Sequence, residues 1–275
     1  MTVAEALAAA AARGLARIDA QVLLLHAIGR TGSERAWLIA HDDETLTPAQ
    51  AQVYDDLCHR RADGEPVAYL TGTREFHGLP LVVDARVLDP RADTEVLVDW
   101  SLDVLRDRAN PRVVDLGTGS GAIALAIARQ RGDAQVDAVD RSADALAVAA
   151  ANAMRLGLPI RMRLADWLRG DTDRYDLIVT NPPYIAEGDP HLPALRHEPA
   201  GALVAGRDGL DAIREIIRQA PDHLGADGWL LIEHGHDQAA AVRALLQGAG
   251  LRRISSRRDL AGIERCSGGQ APGLG

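Results

Sequence analysis

Asp115-Leu116-Gly117-Thr118-Gly119-Ser120-Gly121 decides the fold. The run follows the apolar pair Val113-Val114 and opens the helical stretch Ala122 to Gln130, so it reads as a turn from a buried strand into a helix. Three alternate glycines let the backbone turn sharply and pass close to a ligand, since none carries a Cβ. The spacing is Gly-x-Gly-x-Gly rather than Gly-x-Gly-x-x-Gly, and no Gly-Lys-Ser/Thr follows. Neither a pyrophosphate cradle nor a P-loop is well matched, which leans away from NAD and ATP. A lone glycine turn is a weak sign of a ligand, so the reading depends on what surrounds it.

Outward from the turn, short β-branched runs alternate with longer helical ones. Strands are expected at Arg112 to Leu116, Gln135 to Asp140, Ile160 to Leu164, Leu177 to Thr180 and Trp229 to Glu233. Helices are expected at Ala122 to Gln130, Ala143 to Leu156, Leu210 to Gln219 and Asp237 to Ala249. That alternation belongs to an α/β domain with a parallel sheet and crossover helices. Asp140 ends the second strand about 20 residues past the turn, where a carboxylate can accept both hydroxyls of a ribose. Asp166-Trp167 follows the third strand; the carboxylate suits an adenine amino group and the indole can cover the ring. The bland alternatives are an empty turn, a solvent-facing Asp and a core Trp. Three sites in this order favour a nucleoside-like cofactor.

The fourth strand leads into Asn181-Pro182-Pro183-Tyr184. Two prolines fix φ and supply no N–H, so the loop is rigid, rich in acceptors and poor in donors. An NH₂ group has two donors, and the Asn181 side-chain oxygen with the Pro182 carbonyl can take both. Tyr184 is expected to lie against the flat face of the target. A planar amide nitrogen is a poor nucleophile because its lone pair is delocalised into the carbonyl. Acceptors placed where positive charge develops on it would stabilise the transition state more than the ground state. The tetrapeptide therefore reads as a site for a planar NH₂, with Asn181, Pro182 and Tyr184 as the catalytic candidates. A plain rigid turn is the structural alternative.

The rest of the chain bounds these readings. Its 275 residues, 47% of them apolar, suffice for one large domain and a smaller one. The net charge of -9 offers no phosphate-tracking face, so direct DNA binding is not expected. Cys58 and Cys266 lack metal-ligand spacing, and no metal is expected. With no signal-peptide pattern and no apolar run of transmembrane length, a cytoplasmic protein without membrane contact is expected. Residues 1–72 read as a helical domain: Thr2 with Glu5 and Thr47 with Gln50 form capping boxes, Asp19 opens an apolar stretch ending at Gly29, and Ser33 can cap a short helix. Residues 73–95 read as a β-hairpin linker turning at Gly78-Leu79-Pro80, and residues 96–275 as the α/β domain. Its end, from Ser267 to Gly275, is Gly-rich and is expected to be a disordered tail carrying a thiol at Cys266.

On these residues the chain resembles the bacterial HemK/PrmC family, the peptide chain release factor N5-glutamine methyltransferases. The resemblance also covers Gly64-Glu65-Pro66-Val67-Ala68-Tyr69-Leu70-Thr71-Gly72, Arg74-Glu75-Phe76, Pro90-Arg91-Ala92-Asp93-Thr94-Glu95, Asn181 to Ile185 and Glu233-His234-Gly235. It implies a class I S-adenosylmethionine-dependent methyltransferase fold, Rossmann-like with a seven-stranded sheet, behind the helical substrate-recognition domain. It implies S-adenosyl-L-methionine as cofactor and S-adenosyl-L-homocysteine as product. The substrate it implies is the Gln of a Gly-Gly-Gln loop in class I release factors, methylated on N5. A monomer is expected. Cofactor contacts carried over by position are Gly117, Thr118, Gly119, Ser120, Gly121, Asp140, Trp167 and Asn181, to which the residue reading adds Asp166. The glutamine contacts are Asn181, Pro182, Pro183 and Tyr184. Asp89, Ala92 and His77 depart from the family's usual residues, and Arg91 with Glu95 reads as a surface ion pair. The alternative activity is adenine-N6 methylation of nucleic acid, since the same tetrapeptide suits any planar NH₂. Gly268-Gly269-Gln270 matches the target tripeptide, as chance composition or as a pseudo-substrate.

Overall fold

The computed structural model describes residues 1–273, arranged as two compact units. One comprises Met1–Thr73 with Pro193–His197, the other Arg74–Leu192 with the residues from Glu198 onward. The first is helical: α1 Val3–Ala12, α2 Arg17–Ala27, α3 Arg35–Ala40, α4 Pro48–Ala62 and α5 Val67–Thr71. Helices α1 and α4 open on the expected capping boxes, Thr2 with Glu5 and Thr47 with Gln50. Each box satisfies two backbone N–H groups that a helix start would leave unpaired. Asp19 does not cap α2; it sits in the first turn and pairs with Arg61 at 2.8 Å. Before α3 the box is built by Thr31 and Glu34, and the Ser33 side chain lies outside the described residues. Leu23, Leu24, Leu25, Leu38, Tyr54 and Leu57 form the core, where the Tyr54 hydroxyl donates to the Ala20 carbonyl at 3.2 Å.

A hairpin follows, β1 Thr73–Phe76 and β2 Leu79–Val82, whose residues from Arg74 onward open the second unit. Its turn falls on His77-Gly78, with φ of 47° and 77°, and not on Gly78-Leu79-Pro80. A two-residue loop with both φ positive matches the twist of its strands, which moves Leu79 and Pro80 into β2. After α6 Glu95–Leu105, a helix the sequence reading did not place, comes a seven-stranded sheet.

The strands are β3 Arg112–Leu116, β4 Gln135–Asp140, β5 Arg161–Leu164, β6 Tyr175–Thr180, β7 Leu224–Glu233, β8 Arg252–Arg258 and β9 Glu264–Gln270. Their spatial order is β5-β4-β3-β6-β7-β9-β8, parallel from β5 to β7 and antiparallel at the two added strands. The connecting helices are α7 Ala122–Gln130, α8 Ala143–Leu156, α9 Asp211–His223 and α10 Ala239–Gly248. Val114, Leu116, Ile178, Leu230 and Ile232 pack against Ile213, Ile216, Val242 and Leu246. The alternate residues Val113, Leu177, Val179 and Leu231 are buried as well, as a sheet covered on both faces requires.

Strand β9 overturns the expected tail. Gly268 pairs with Leu231 and Gly269 with Leu230 in the sheet, both glycines buried, while Gln270 donates to the Asp227 carbonyl at 3.0 Å. A Cβ on Gly268 would come within 2.4 Å of Leu231 Cδ2. Glycine is used there for close approach, not for flexibility. Gly268-Gly269-Gln270 is thus structural and no pseudo-substrate, and Cys266 is a buried core thiol. Leu274 and Gly275, the remainder of the expected tail, lie outside the described residues.

The chain leaves β3 toward β4 and β5, then returns to place β6 on the opposite side of β3. Such a reversal opens a crevice at the carboxyl ends of the two strands, where open α/β sheets bind their ligands.

Candidate active site

Both sequence motifs issue from that reversal. Leu116 and Thr180 are paired in register, and the Thr180 hydroxyl donates to the Leu116 carbonyl at 2.7 Å. The glycine turn starts one residue past Leu116 and the Asn-Pro-Pro-Tyr loop one residue past Thr180.

In the turn Gly117, Gly119 and Gly121 have φ of 70°, 54° and 83°, the left-handed region where a side chain is strained. Gly117 N and Thr118 N donate to the Val139 carbonyl at 2.8 and 2.9 Å. Asp140 holds the turn from the next strand: one carboxylate oxygen accepts from Gly119 N at 3.0 Å and the other from Ser142 N at 2.9 Å. Each oxygen keeps a further lone pair. Beneath the turn Asp115 is fully buried and accepts from Thr118 Oγ1 at 2.7 Å and Ala124 N at 3.2 Å. Burial pushes its carboxyl up to about 7, against those two hydrogen bonds and with the Asp140 charge adding to the shift.

Trp167 follows β5 with φ of 57°, a conformation rare for a bulky residue. Its indole lies against the turn: a Cβ on Gly117 would stand 3.2 Å from Trp167 Cζ3. Asp166 is half-exposed and 3.5 Å from Arg169. Gly117, Thr118, Gly119, Ser120, Asp140, Asp166, Trp167, Asn181 and Pro183 all line one cavity of ≈ 310 Å³. Gly121 does not line it; it ends the turn at the start of α7.

The tetrapeptide divides. Asn181 Nδ2 donates to Thr94 Oγ1 at 3.2 Å, which leaves Oδ1 as the unspent acceptor of a residue at the cavity wall. Pro183 joins Asn181 there, while Pro182 is buried and Tyr184 stands behind the wall. The Tyr184 hydroxyl reaches Glu233 Oε1 at 3.5 Å, and its carbonyl accepts from Gln238 Nε2 at 3.0 Å. Burial and the Glu233 charge hold the Tyr184 phenol above its usual range.

Sequence reasoning missed four contributors. Thr94 anchors Asn181; Val87, Leu88 and Pro90 line the cavity on one side and Pro199, Gly201 and Ala202 on another; Glu233 is a buried carboxylate at the end of β7, beside the strand that leads to Asn181. A signal existed only for Glu233, an acid ending an apolar strand. Arg91 and Glu95 do not pair. Arg91 Nη2 donates to Glu198 Oε1 at 2.5 Å, and Glu95 Oε1 accepts from His77 N at 3.0 Å. Asp89, a departure from the family's usual apolar residue, is buried between Arg74 and Arg91 at 3.4 and 3.6 Å. Its backbone N–H donates to Glu198, so the acid joins a charge cluster at the cavity edge.

The arrangement suits a nucleoside-bearing cofactor: a glycine cradle that a Cβ would fill, a ribose-competent carboxylate, an indole wall, and an amide oxygen facing no donor of its own. Residues 87–197 match the Methyltransferase small domain family, and residues 2–72 match the PrmC N-terminal domain family. The release factor glutamine methyltransferase of Bordetella pertussis is 53% identical over 93% of this chain and 95% of that protein. The one from Xylella fastidiosa Temecula1 is 49% identical over 98% of each. The T. Thermophilus 16S rRNA N2 G1207 methyltransferase, solved with AdoMet and guanosine, shares the fold at a TM-score of 0.53, with 18% identity over 72% of this chain and 49% of that one. With the fold, both family domains and near-complete relatives in agreement, the chain belongs to the release factor glutamine methyltransferase family.

Proposed function

We propose that the chain transfers a methyl group from S-adenosylmethionine to N5 of the Gln in the Gly-Gly-Gln motif of class I release factors. The observation that carries this reading is the Asn181 amide, tied through Nδ2 to Thr94 and keeping Oδ1 for the cavity that also holds the glycine turn. The curated relatives favour glutamine over adenine as the acceptor.

Gly117 to Ser120 would cradle the cofactor, with Gly121 ending the turn behind them, Asp140 would take the ribose hydroxyls with its remaining lone pairs, and Asp166 and Trp167 would take the adenine. When bound, the cofactor supplies an electrophilic methyl on a sulfonium sulfur. Asn181 Oδ1 would accept one N–H of the target amide and so favour the nitrogen as positive charge grows there. The Pro182 carbonyl is the second proposed acceptor, with Pro183 and Tyr184 fixing the loop. We also read residues 1–72 as the part that recognises the release factor, residues 73–95 as the linker and residues 96–275 as the catalytic part. The protein would act in the cytoplasm as a monomer; no described helix is long and apolar enough to cross a membrane.

The test incubates the purified chain with labelled cofactor and a class I release factor, then locates the methyl by mass spectrometry. Methyl on the Gly-Gly-Gln glutamine is expected; methyl on adenine but not on that protein would refute the reading. Asn181→Ala should lower transfer at least about 100-fold, the scale of losing a transition-state acceptor, while cofactor binding stays within about threefold.

A further inference from the structure

Glu233 is 1% exposed; its Oε2 has no hydrogen-bond partner, its Oε1 meets the Tyr184 hydroxyl only at a long 3.5 Å, and the Thr94 hydroxyl stands beside the carboxyl. A carboxylate so poorly satisfied is costly to bury, and an apolar side chain would fill the space at less expense. Packing alone gives no reason for an acid there. The groups facing it are Asp93 and Thr94 from the turn before α6, Tyr184 from the loop after β6, and Arg265 and Cys266 from β9. Thr94 is also the partner of Asn181.

We infer that Glu233 is a positioning residue for the proposed methyl transfer, setting through the Thr94 hydroxyl which end of the Asn181 amide meets the target nitrogen. The inference rests on the function proposed above. A threonine hydroxyl has one hydrogen and two acceptor lone pairs. An ionised Glu233 is an acceptor only, so it draws the Thr94 hydrogen toward itself. Thr94 then shows Asn181 a lone pair alone, and the amide must turn Nδ2 to Thr94 and Oδ1 away from it. A protonated Glu233 can donate to Thr94 instead. The Thr94 hydrogen is then free for Asn181 Oδ1, and the amide can present Nδ2 to an NH₂ target, donor against donor. Burial pushes the Glu233 carboxyl up to about 7; the Asp93 charge adds to the shift, while Thr94, Arg265 and Tyr184 oppose it. The switch between the two orientations falls within the working range of an enzyme.

The experiment follows methyl transfer to a Gly-Gly-Gln release factor across roughly pH 5.5 to 9 for the wild type, Glu233→Gln, Thr94→Val and Thr94→Ser. Cofactor affinity is measured for each by calorimetry. Expected is a wild-type kcat that falls on the acid side with a midpoint near neutrality. Glu233→Gln should lose that limb, and both it and Thr94→Val should lower kcat at least about tenfold with cofactor affinity within about twofold. Thr94→Ser, which keeps the hydroxyl, should restore kcat. An active wild type beside a Glu233→Gln that keeps both rate and limb would overturn the inference, as would losses of cofactor affinity matching the losses of rate. A wild type inactive on the release factor but able to bind cofactor would instead overturn the function on which the inference rests.

Discussion

The Thr180 hydroxyl donates to the Leu116 carbonyl at 2.7 Å, joining the last residues of β6 and β3. This bond adds to the β3–β6 pairing at the point where the glycine turn and Asn181, the two halves of the cavity, leave the sheet. Thr180 is fully buried, so Thr180→Val removes the donor with little change of shape. We expect a loss of about 1 to 3 kcal/mol of stability, read by chemical denaturation, from a carbonyl deprived of its side-chain partner. Because the strand ends loosen together, cofactor affinity and kcat should fall together in the same variant. Loss of stability with both unchanged would mean that the sheet alone sets the spacing.

Asp140 has two duties on one carboxylate, since each oxygen already accepts a backbone N–H from Gly119 or Ser142. Asp140→Ala should therefore weaken S-adenosylmethionine binding by about 10- to 100-fold, the range of losing charge-assisted hydrogen bonds. Asp140→Asn keeps one acceptor and should fall between that variant and the wild type. Calorimetric titration of the three proteins checks the order. Equal affinities would remove Asp140 from the cofactor site.

Gly117 is constrained twice, by φ of 70° and by the Trp167 ring 3.2 Å from where a Cβ would stand. Gly117→Ala should cost about 1 kcal/mol or more in backbone strain and push the indole from its place. Adding Trp167→Leu to it should recover the part due to the ring and leave the part due to φ. Denaturation of the single and double variants separates the two. Full recovery would show that φ strain contributes nothing at this turn.

Those two constraints explain why the turn was legible in the sequence: a left-handed backbone demands glycine, and three at alternate positions leave a local mark. The inner parallel strands β3, β4, β6 and β7 were legible for a similar reason, as apolar stretches buried on both faces, whereas β5 at the sheet edge carries two arginines and an exposed Leu164. Strands β8 and β9 were not. Arg252 to Arg258 lies at the edge of the sheet and reads as polar, and Gly268 and Gly269 look like flexibility while serving close packing under Leu231 and Leu251. The two prolines made the tetrapeptide's rigidity legible but not its geometry, because only the fold separates Asn181 and Pro183 at the cavity from Pro182 and Tyr184, which do not line it. Thr94 left no local mark and Glu233 only the faint one of an acid ending an apolar strand, since each acquires meaning only when the turn before α6 and the end of β7 come together beside Asn181.

The buried carboxyl of Asp115 makes a prediction whose sign differs from that of most acids. Its folded pKa is raised to about 7 by burial, above the unfolded value, so between about pH 4 and 7 the native state holds the proton more tightly. The stabilising contribution is then complete below pH 4 and is lost as pH rises through 7. Acids held by arginines, such as Asp171 beside Arg163, are lowered and act in the opposite sense, so the whole-protein curve mixes both. The difference between wild type and Asp115→Asn isolates the one group. Relative to the variant, the wild type should lose stability from pH 4 to 8, by at most about 4 kcal/mol for a shift of this size. Denaturant midpoints of both proteins at several pH values measure it. A difference that does not change with pH would mean that Asp115 stays ionised beneath the turn, with water or backbone N–H groups satisfying the oxygen left bare.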